Sequence, residues 1–189
     1  MKILILLCSL AFLTSASAAE VAIISIQVPN EKEPKQAVIE LYPDAAPQTV
    51  ANFEKLAIKK FYKGMAFHRA IPDRLVQIGD PLSKNKKSNL PVGTGGPGYV
   101  IPAEIKLPHV LGAVAMGRLP NKINPNKSSN GSQFYICLAP APSLNGEYTV
   151  FGKVISGLEV FQAISKGETD SNGTPINRST IRSIKIEQQ

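Results

Sequence analysis

The chain has 189 residues and a formal net charge of +7, with 43% hydrophobic and 19% charged residues. This length and balance predict one compact domain whose core needs no disulfide or metal to hold it. The positive charge is spread along the chain without a zinc-finger spacing or an aromatic RNA-binding motif, so we expect no nucleic-acid partner and interpret the charge as favouring solubility.

The N-terminus has the pattern of a secretory signal peptide. Lys2 precedes an uncharged run over residues 3–13, and Ala18 and Ala19 offer small-residue cleavage sites. A spanning helix needs ~20 apolar residues, more than this run supplies. We therefore predict a signal peptide over residues 1–19, a mature domain over residues 20–189, a periplasmic or secreted location, and no membrane attachment after cleavage.

Two helices and many short strands are expected in the mature chain. From Pro47 onward, apolar residues recur at helical spacing, and a second short helix is predicted over residues 157–165. The Asn145-Gly146 pair predicts a hairpin. Runs of β-favouring residues cover 22–28, 38–42, 66–71, 75–78, 111–116, 132–138, 148–155 and 181–187. Glycine, proline and asparagine join these runs, which indicates a closed or nearly closed antiparallel β structure with helical caps.

Most familiar catalytic machinery is missing. His68 and His109 have no ligand-like spacing, so we expect no metal, and packed or hydrogen-bonded roles fit them better. Ser132 lacks the context of a nucleophile elbow. Cys137 is the one cysteine of the predicted mature chain and is interpreted as a buried thiol without a disulfide partner. The glycine-rich segment 93–98 lacks the residues of a phosphate loop, and no cofactor is expected.

Several linked motifs are distinctive when taken together. They are FHRAIP at 67–72, QIGD at 77–80, GTGG at 93–96, NGSQFYI at 130–136 and VFGKV at 150–154. In order and approximate spacing they resemble the cyclophilin family, and the resemblance covers nearly the whole mature chain. It implies a mainly β fold, a closed eight-stranded antiparallel barrel capped by two α-helices, and cis/trans isomerisation of peptide bonds that precede proline.

The implied activity makes physical sense of these residue types. Rotation about an X-Pro amide faces a barrier of ~18–20 kcal/mol because it destroys resonance, yet no bond is broken. As the amide twists, the prolyl nitrogen regains a lone pair, which a fixed cationic donor binds best in the transition state. By resemblance Arg69 is the catalytic arginine, and Gln77 positions it and binds substrate backbone. Alone, Arg69 would be read as half of a surface ion pair.

The resemblance also implies a substrate-binding set. Gln133 resembles a backbone-binding amide, and the apolar members of the pocket are expected to be Phe67, Leu75, Met116, Tyr135, Leu144 and Tyr148. Taken singly, each apolar residue would be assigned to the core. Arg74 stands where many relatives carry a pocket phenylalanine, and Ser143, Tyr148, Gly117 and Arg118 also depart from the common pattern.

The leading hypothesis is therefore a peptidyl-prolyl cis/trans isomerase that assists the folding of exported proteins. Its partners would be unfolded or flexible proline-containing polypeptides, and a monomer is expected. The alternative is a proline-peptide-binding or chaperone module with little catalysis, motivated by Arg74 and by two basic loops. Activity on a proline peptide, compared with binding of unfolded chains, separates these hypotheses.

Overall fold

The computed structural model describes residues 20–85 and 91–188, so the predicted signal peptide lies outside the described residues. The described part contains eight strands and two α-helices. The strands are β1 (Glu20–Gln27), β2 (Lys35–Leu41), β3 (Arg69–Ile71), β4 (Leu75–Ile78), β5 (Ala113–Met116), β6 (Phe134–Cys137), β7 (Val150–Ser156) and β8 (Thr180–Gln188). The helices are α1 (Pro47–Ile58) and α2 (Leu158–Ser165). Neither is long and apolar enough to cross a membrane.

Helix α1 begins where proline favours it, as predicted. Pro47 occupies the first turn, where its missing N–H costs no hydrogen bond. The next two N–H groups, of Gln48 and Thr49, donate to the carboxylate of Glu104 at 3.0 and 2.9 Å. A side chain 55 residues along the chain thus caps the helix, and its negative charge lies at the positive end of the helix dipole.

The eight strands form one antiparallel sheet in the order β3-β4-β6-β5-β7-β2-β1-β8. The core lies between one face of this sheet and the two helices. In it Phe53 and Phe134 contact each other, and each also contacts the rings of Tyr62 and Phe151. A smaller apolar cluster lies on the other face of the β4-β6-β5-β7 region. The mainly β fold with two helices is confirmed.

The predicted closure of the barrel is wrong, because the sheet is an open half-barrel with β3 and β8 at its edges. Strand β3 has only three residues, and its Ala70 N–H donates to the carbonyl of Gly173 in a loop at 2.8 Å. Before β3, an isolated bridge joins Ala66 to Thr180. The two edges therefore meet at this bridge and its flanking hydrogen bonds, not through a ladder between β3 and β8.

The predicted hairpin at Asn145-Gly146 is also wrong. Glu147 N–H donates to the carbonyl of Leu144 at 3.1 Å, and Gly146 has a φ of 74°, so the pair does form a tight turn. However, β6 and β7, on either side, each pair with β5 and not with one another. Asn-Gly specifies the turn, but partner choice depends on the rest of the sheet.

Candidate active site

A groove of about 460 Å³ opens on the outer face of the sheet beside β3 and β4. It is lined by six of the nine residues that the sequence assigns to the site. These are Arg69, Leu75, Gln77, Tyr135, Leu144 and Tyr148. Three larger depressions, of about 600, 730 and 490 Å³, contain none of the nine, so the chemistry points to the smaller groove.

Strand register explains how these residues reach one face. Arg69 lies opposite Gln77 across β3 and β4, and Gln77 lies opposite Tyr135 across β4 and β6. Because successive side chains of a strand point to opposite faces, residues two apart share a face. Leu75 therefore joins Gln77 in the groove, while Val76 between them is fully buried in the core.

Arg69 is an exposed cation of the groove and lies on β3 opposite Gln77. Its guanidinium forms no hydrogen bond or ion pair with any side chain in the described part of the chain. Its donors are therefore available to a ligand. An arginine keeps its charge at any physiological pH, so this group is a permanent donor.

Gln77 is held by a second amide behind it. Its Nε2 donates to Oε1 of Gln133 at 2.9 Å, while Nε2 of Gln133 donates to the carbonyls of Gly93 and Gly95 at 2.9 and 2.7 Å. Gln133 is only 2% exposed and does not line the groove. The structure thus makes Gln133 a support for Gln77, and leaves Oε1 of Gln77 to accept a hydrogen bond from a ligand.

The glycine loop that holds Gln133 is anchored in turn by Asp80. This carboxylate is fully buried at the end of β4. One oxygen accepts from Leu82 N–H at 2.7 Å, and the other accepts from Gly95 N–H at 3.2 Å and from Gly93 N–H. Asp80 was not among the site residues expected from the sequence, although it lies in the QIGD motif and adjoins the short turn Pro81–Lys84.

The aromatic part of the groove is fixed by hydrogen bonds. Asn145 Oδ1 can only accept, so Nδ1–H of His109 donates to it at 3.2 Å, and Nε2 of His109 then accepts from the Tyr135 hydroxyl at 2.9 Å. Tyr148 packs edge-on against Tyr135 with ring centroids 5.7 Å apart. Burial raises the pKa of Tyr135 and lowers that of His109, so both rings are neutral at pH 7.

Two predicted pocket residues lie in the core instead. Phe67 is 1% exposed and packs against Phe161 with ring centroids 6.0 Å apart. Met116 is 2% exposed and lies opposite Phe134, whereas its neighbour Ala115 lies opposite Tyr135. The pleat therefore sends Ala115 toward the face with the small apolar cluster and Met116 to the interior.

The groove also contains residues that were not expected there from the sequence. Arg118 lies over the Tyr148 ring, with its guanidinium carbon 4.6 Å from the ring centroid. Its Nε donates to the carbonyl of Glu147 at 2.7 Å and its Nη2 to the Glu147 carboxylate at 2.8 Å. The departure from the common family pattern at residue 118 was the available signal. Arg74 and Ser143, two other departures, line the groove as well.

Within residues 20–85 and 91–188, no group of three or more His, Cys, Asp or Glu side chains is arranged to hold a metal ion. His68 is 8% exposed, and neither of its ring nitrogens has a hydrogen-bond partner among the described residues. Burial lowers the pKa of His68 to about 4, although the nearby negative charge of Asp80 acts to raise it. At pH 7 this histidine is a neutral, packed side chain next to Arg69.

Comparison with known proteins agrees with this arrangement. Residues 24–186 match the family model described as cyclophilin type peptidyl-prolyl cis-trans isomerase/CLD. Peptidyl-prolyl cis-trans isomerase B of Bacillus subtilis is 48% identical over 132 residues, which cover 68% of this chain and 82% of the relative. A probable peptidyl-prolyl cis-trans isomerase of Brucella suis is 38% identical over 190 residues, covering 93% and 94% of the two chains.

A solved structure has a similar fold. The crystal structure of a cyclophilin type peptidyl-prolyl cis-trans isomerase from Cryptosporidium parvum aligns with a TM-score of 0.74 and 29% identity, covering 90% of this chain and 99% of that one. A second crystal structure of that protein, in the presence of the dipeptide Ala-Pro, aligns with a TM-score of 0.71 and 27% identity, covering 89% and 99%.

Proposed function

The chain belongs to the cyclophilin family and is a peptidyl-prolyl cis-trans isomerase. From this premise we propose that Arg69 is its catalytic residue and that the enzyme assists the folding of exported proteins. The observation that carries the first proposal is the unpaired Arg69 guanidinium opposite Gln77, in a groove that Tyr135 and Tyr148 also line. Among the described arginines of the groove, Arg118 is paired with Glu147, and Arg74 lies three residues along the strands from the Gln77 level. Arg69 therefore combines free donors with a position directly opposite Gln77.

The reaction requires a donor and no nucleophile. In the planar ground state the prolyl nitrogen shares its electron pair with the carbonyl, so it accepts hydrogen bonds poorly. Rotation localises that pair on the nitrogen, and a preorganised guanidinium binds it more strongly at the top of the barrier. Arg69 supplies this interaction without gaining or losing a proton at any step.

Gln77 and the apolar side chains orient the substrate. Oε1 of Gln77 accepts a hydrogen bond from a substrate backbone N–H, because its Nε2 is already engaged by Gln133. Leu75, Leu144 and Tyr148, all partly buried, receive the proline ring by excluding water from it. Phe67 and Met116, which the resemblance assigned to this pocket, support it from the other side of the sheet.

The proposed substrates are exposed, flexible segments that contain proline, bound by a monomer. The Cryptosporidium parvum relative was crystallised in the presence of the dipeptide Ala-Pro, and this supports a proline-containing ligand. The N-terminal sequence pattern supports export to the periplasm or beyond, where slow X-Pro isomerisation limits folding.

The catalytic role of Arg69 is tested by measuring the isomerisation of a proline peptide by the mature domain and by its variants Arg69→Ala and Arg182→Ala. Arg182 is an exposed arginine on β8 whose guanidinium donates to Gln27, outside the groove. We expect Arg69→Ala to lower kcat/KM by roughly 100-fold, as loss of one preorganised transition-state donor does, with an unchanged unfolding curve. Arg182→Ala is expected to retain the full rate. An undiminished rate in Arg69→Ala would refute the assignment.

Export is tested separately by N-terminal sequencing of the secreted or periplasmic fraction. The expected mature sequence begins near Glu20. A fraction outside the cytoplasm that still begins at Met1 would contradict the processing, without bearing on the catalytic proposal.

A further inference from the structure

Among the described residues, three arginines and no carboxylate line the groove. They are Arg69, Arg74 and Arg118. Only Arg69 is used by the proposed catalysis, so the other two cations call for a role. A groove that binds neutral peptide backbone and a proline ring has no need of them.

The three arginines are spread along the direction of the strands. Arg69 lies level with Tyr135 of β6 through the pairing with Gln77. The carbonyl of Arg74 accepts from Leu138 N–H at 2.8 Å, three residues further along β6. In the opposite direction along β6, Gly117 N–H donates to the carbonyl of Gln133 at 2.8 Å. Arg118 follows Gly117, so it lies on the side of the Tyr135 level that is opposite to Arg74. A strand rises ~3.3 Å per residue, so Arg74 lies about 10 Å from the Arg69 level.

The charges at the two ends are compensated differently. The Glu147 carboxylate pairs with Arg118 at 2.8 Å and with Lys127 at 2.7 Å, so the Arg118 guanidinium is already engaged. Arg74 is exposed and has no ion pair in the described part of the chain. The neighbouring carboxylate of Asp73 pairs with Lys166 at 3.2 Å. Arg74 is therefore the uncompensated cation beyond the reactive position.

We propose that the enzyme selects X-Pro segments that carry a carboxylate two or three residues from the proline, and that Arg74 is the residue that determines this specificity. The inference rests on the proposed catalytic position of Arg69. An extended peptide whose prolyl nitrogen lies at Arg69 advances ~3.3 Å per residue, so its second or third neighbour reaches Arg74. The planar guanidinium matches a carboxylate with two parallel hydrogen bonds.

The test uses flexible peptides that differ at one position. Glu, its neutral isostere Gln, or Lys is placed two or three residues before the proline, or two or three residues after it. For each peptide, kcat/KM is measured by isomerisation and Kd by titration. We expect Glu to exceed Gln by about two- to five-fold in at least one of these placements, as an exposed ion pair supplies, and Lys to fall below Gln there. High salt is expected to reduce the differences by screening.

The matched variants are Arg74→Gln and Arg182→Gln, which remove the same charge at the groove and on β8. The Glu-to-Gln ratio is expected to fall to about one in Arg74→Gln and to persist in Arg182→Gln. Equal values for Glu and Gln in the wild type, or a ratio that survives Arg74→Gln, would overturn the inference. Preferential binding of the Glu peptide without turnover of any peptide would uphold the role of Arg74 and count against the catalytic proposal alone.

Discussion

Replacement of Asp80 by Asn is expected to reduce both the stability and the activity of the enzyme. Asp80 is fully buried, and its two carboxylate oxygens accept from three backbone N–H groups, those of Leu82, Gly93 and Gly95. One side chain thereby ties the glycine loop to the end of β4. Asn has the same shape but only one acceptor oxygen.

The expected loss of stability follows from counting these donors. The Asn amide directs its NH₂ group at the one or two N–H groups that the lost oxygen served, so at least one buried donor has no acceptor. Each such donor costs ~1–3 kcal/mol, and hydrogen bonds to a charged acceptor are worth more than those to a neutral one. We expect Asp80→Asn to lower the free energy of unfolding by about 2–4 kcal/mol.

The activity should fall because the same loop holds the amide chain of the site. The carbonyls of Gly93 and Gly95 accept from Gln133, and Gln133 holds Nε2 of Gln77. A small displacement of the loop therefore misorients Gln77 without touching Arg69. Because displacements of ~1 Å cost up to 100-fold in rate, we expect kcat/KM to fall by roughly 10-fold.

Urea denaturation and proline-peptide isomerisation of the same preparation measure the two effects. Asp44→Asn is the control, since Asp44 is an exposed aspartate away from the groove. If Asp80→Asn unfolds within about 0.5 kcal/mol of the wild type, the range of neutral surface changes, the carboxylate does not hold the loop and this reasoning is refuted.

Two further predictions concern buried groups. Burial lowers the pKa of His68 to about 4 from 6.5, so between these values the unfolded chain binds more protons than the folded one and stability falls as the pH falls. From pH 7 to pH 4 we expect the free energy of unfolding to fall by about 3 kcal/mol, a loss that His68→Gln lacks. Equal pH dependence of unfolding in both proteins would contradict this. Burial also raises the pKa of Cys137 to about 11, so we expect a thiol reagent at pH 8 to modify Cys137 only after denaturation. Mass spectrometry of peptides measures the modification, and labelling of Cys137 in the folded protein would count against this prediction.

The sequence by itself identified the family, and it did so because several linked motifs occur in order over nearly all of residues 20–189. It also predicted both helices, since Pro47 and the apolar spacing after it define the start and buried face of α1. The β-rich runs coincide with the eight strands, although the ends differ. The run at 66–71, for example, begins three residues before β3, because its first residue makes only an isolated bridge.

The tertiary structure decided which face each residue occupies. Met116 and Ala115 are equally apolar neighbours, but only their pairing with Phe134 and Tyr135 directs the first to the core and the second to the other face. A shift of one residue in the strand register would exchange the faces that Met116 and Ala115 occupy. That register cannot be determined from a single sequence. The same limit applies to Gln133, whose amide serves the glycine loop because of where that loop lies.

Contacts between distant segments were likewise beyond the sequence. The open edge of the sheet results from a three-residue β3 whose outer edge is met by the loop at Gly173, about a hundred residues later in the chain. Asp80 acquires its role only when residues 93 and 95 fold back onto it. Local patterns determine elements because their forces act between neighbours in the chain, whereas sheet closure and site geometry depend on which distant groups the completed fold brings together.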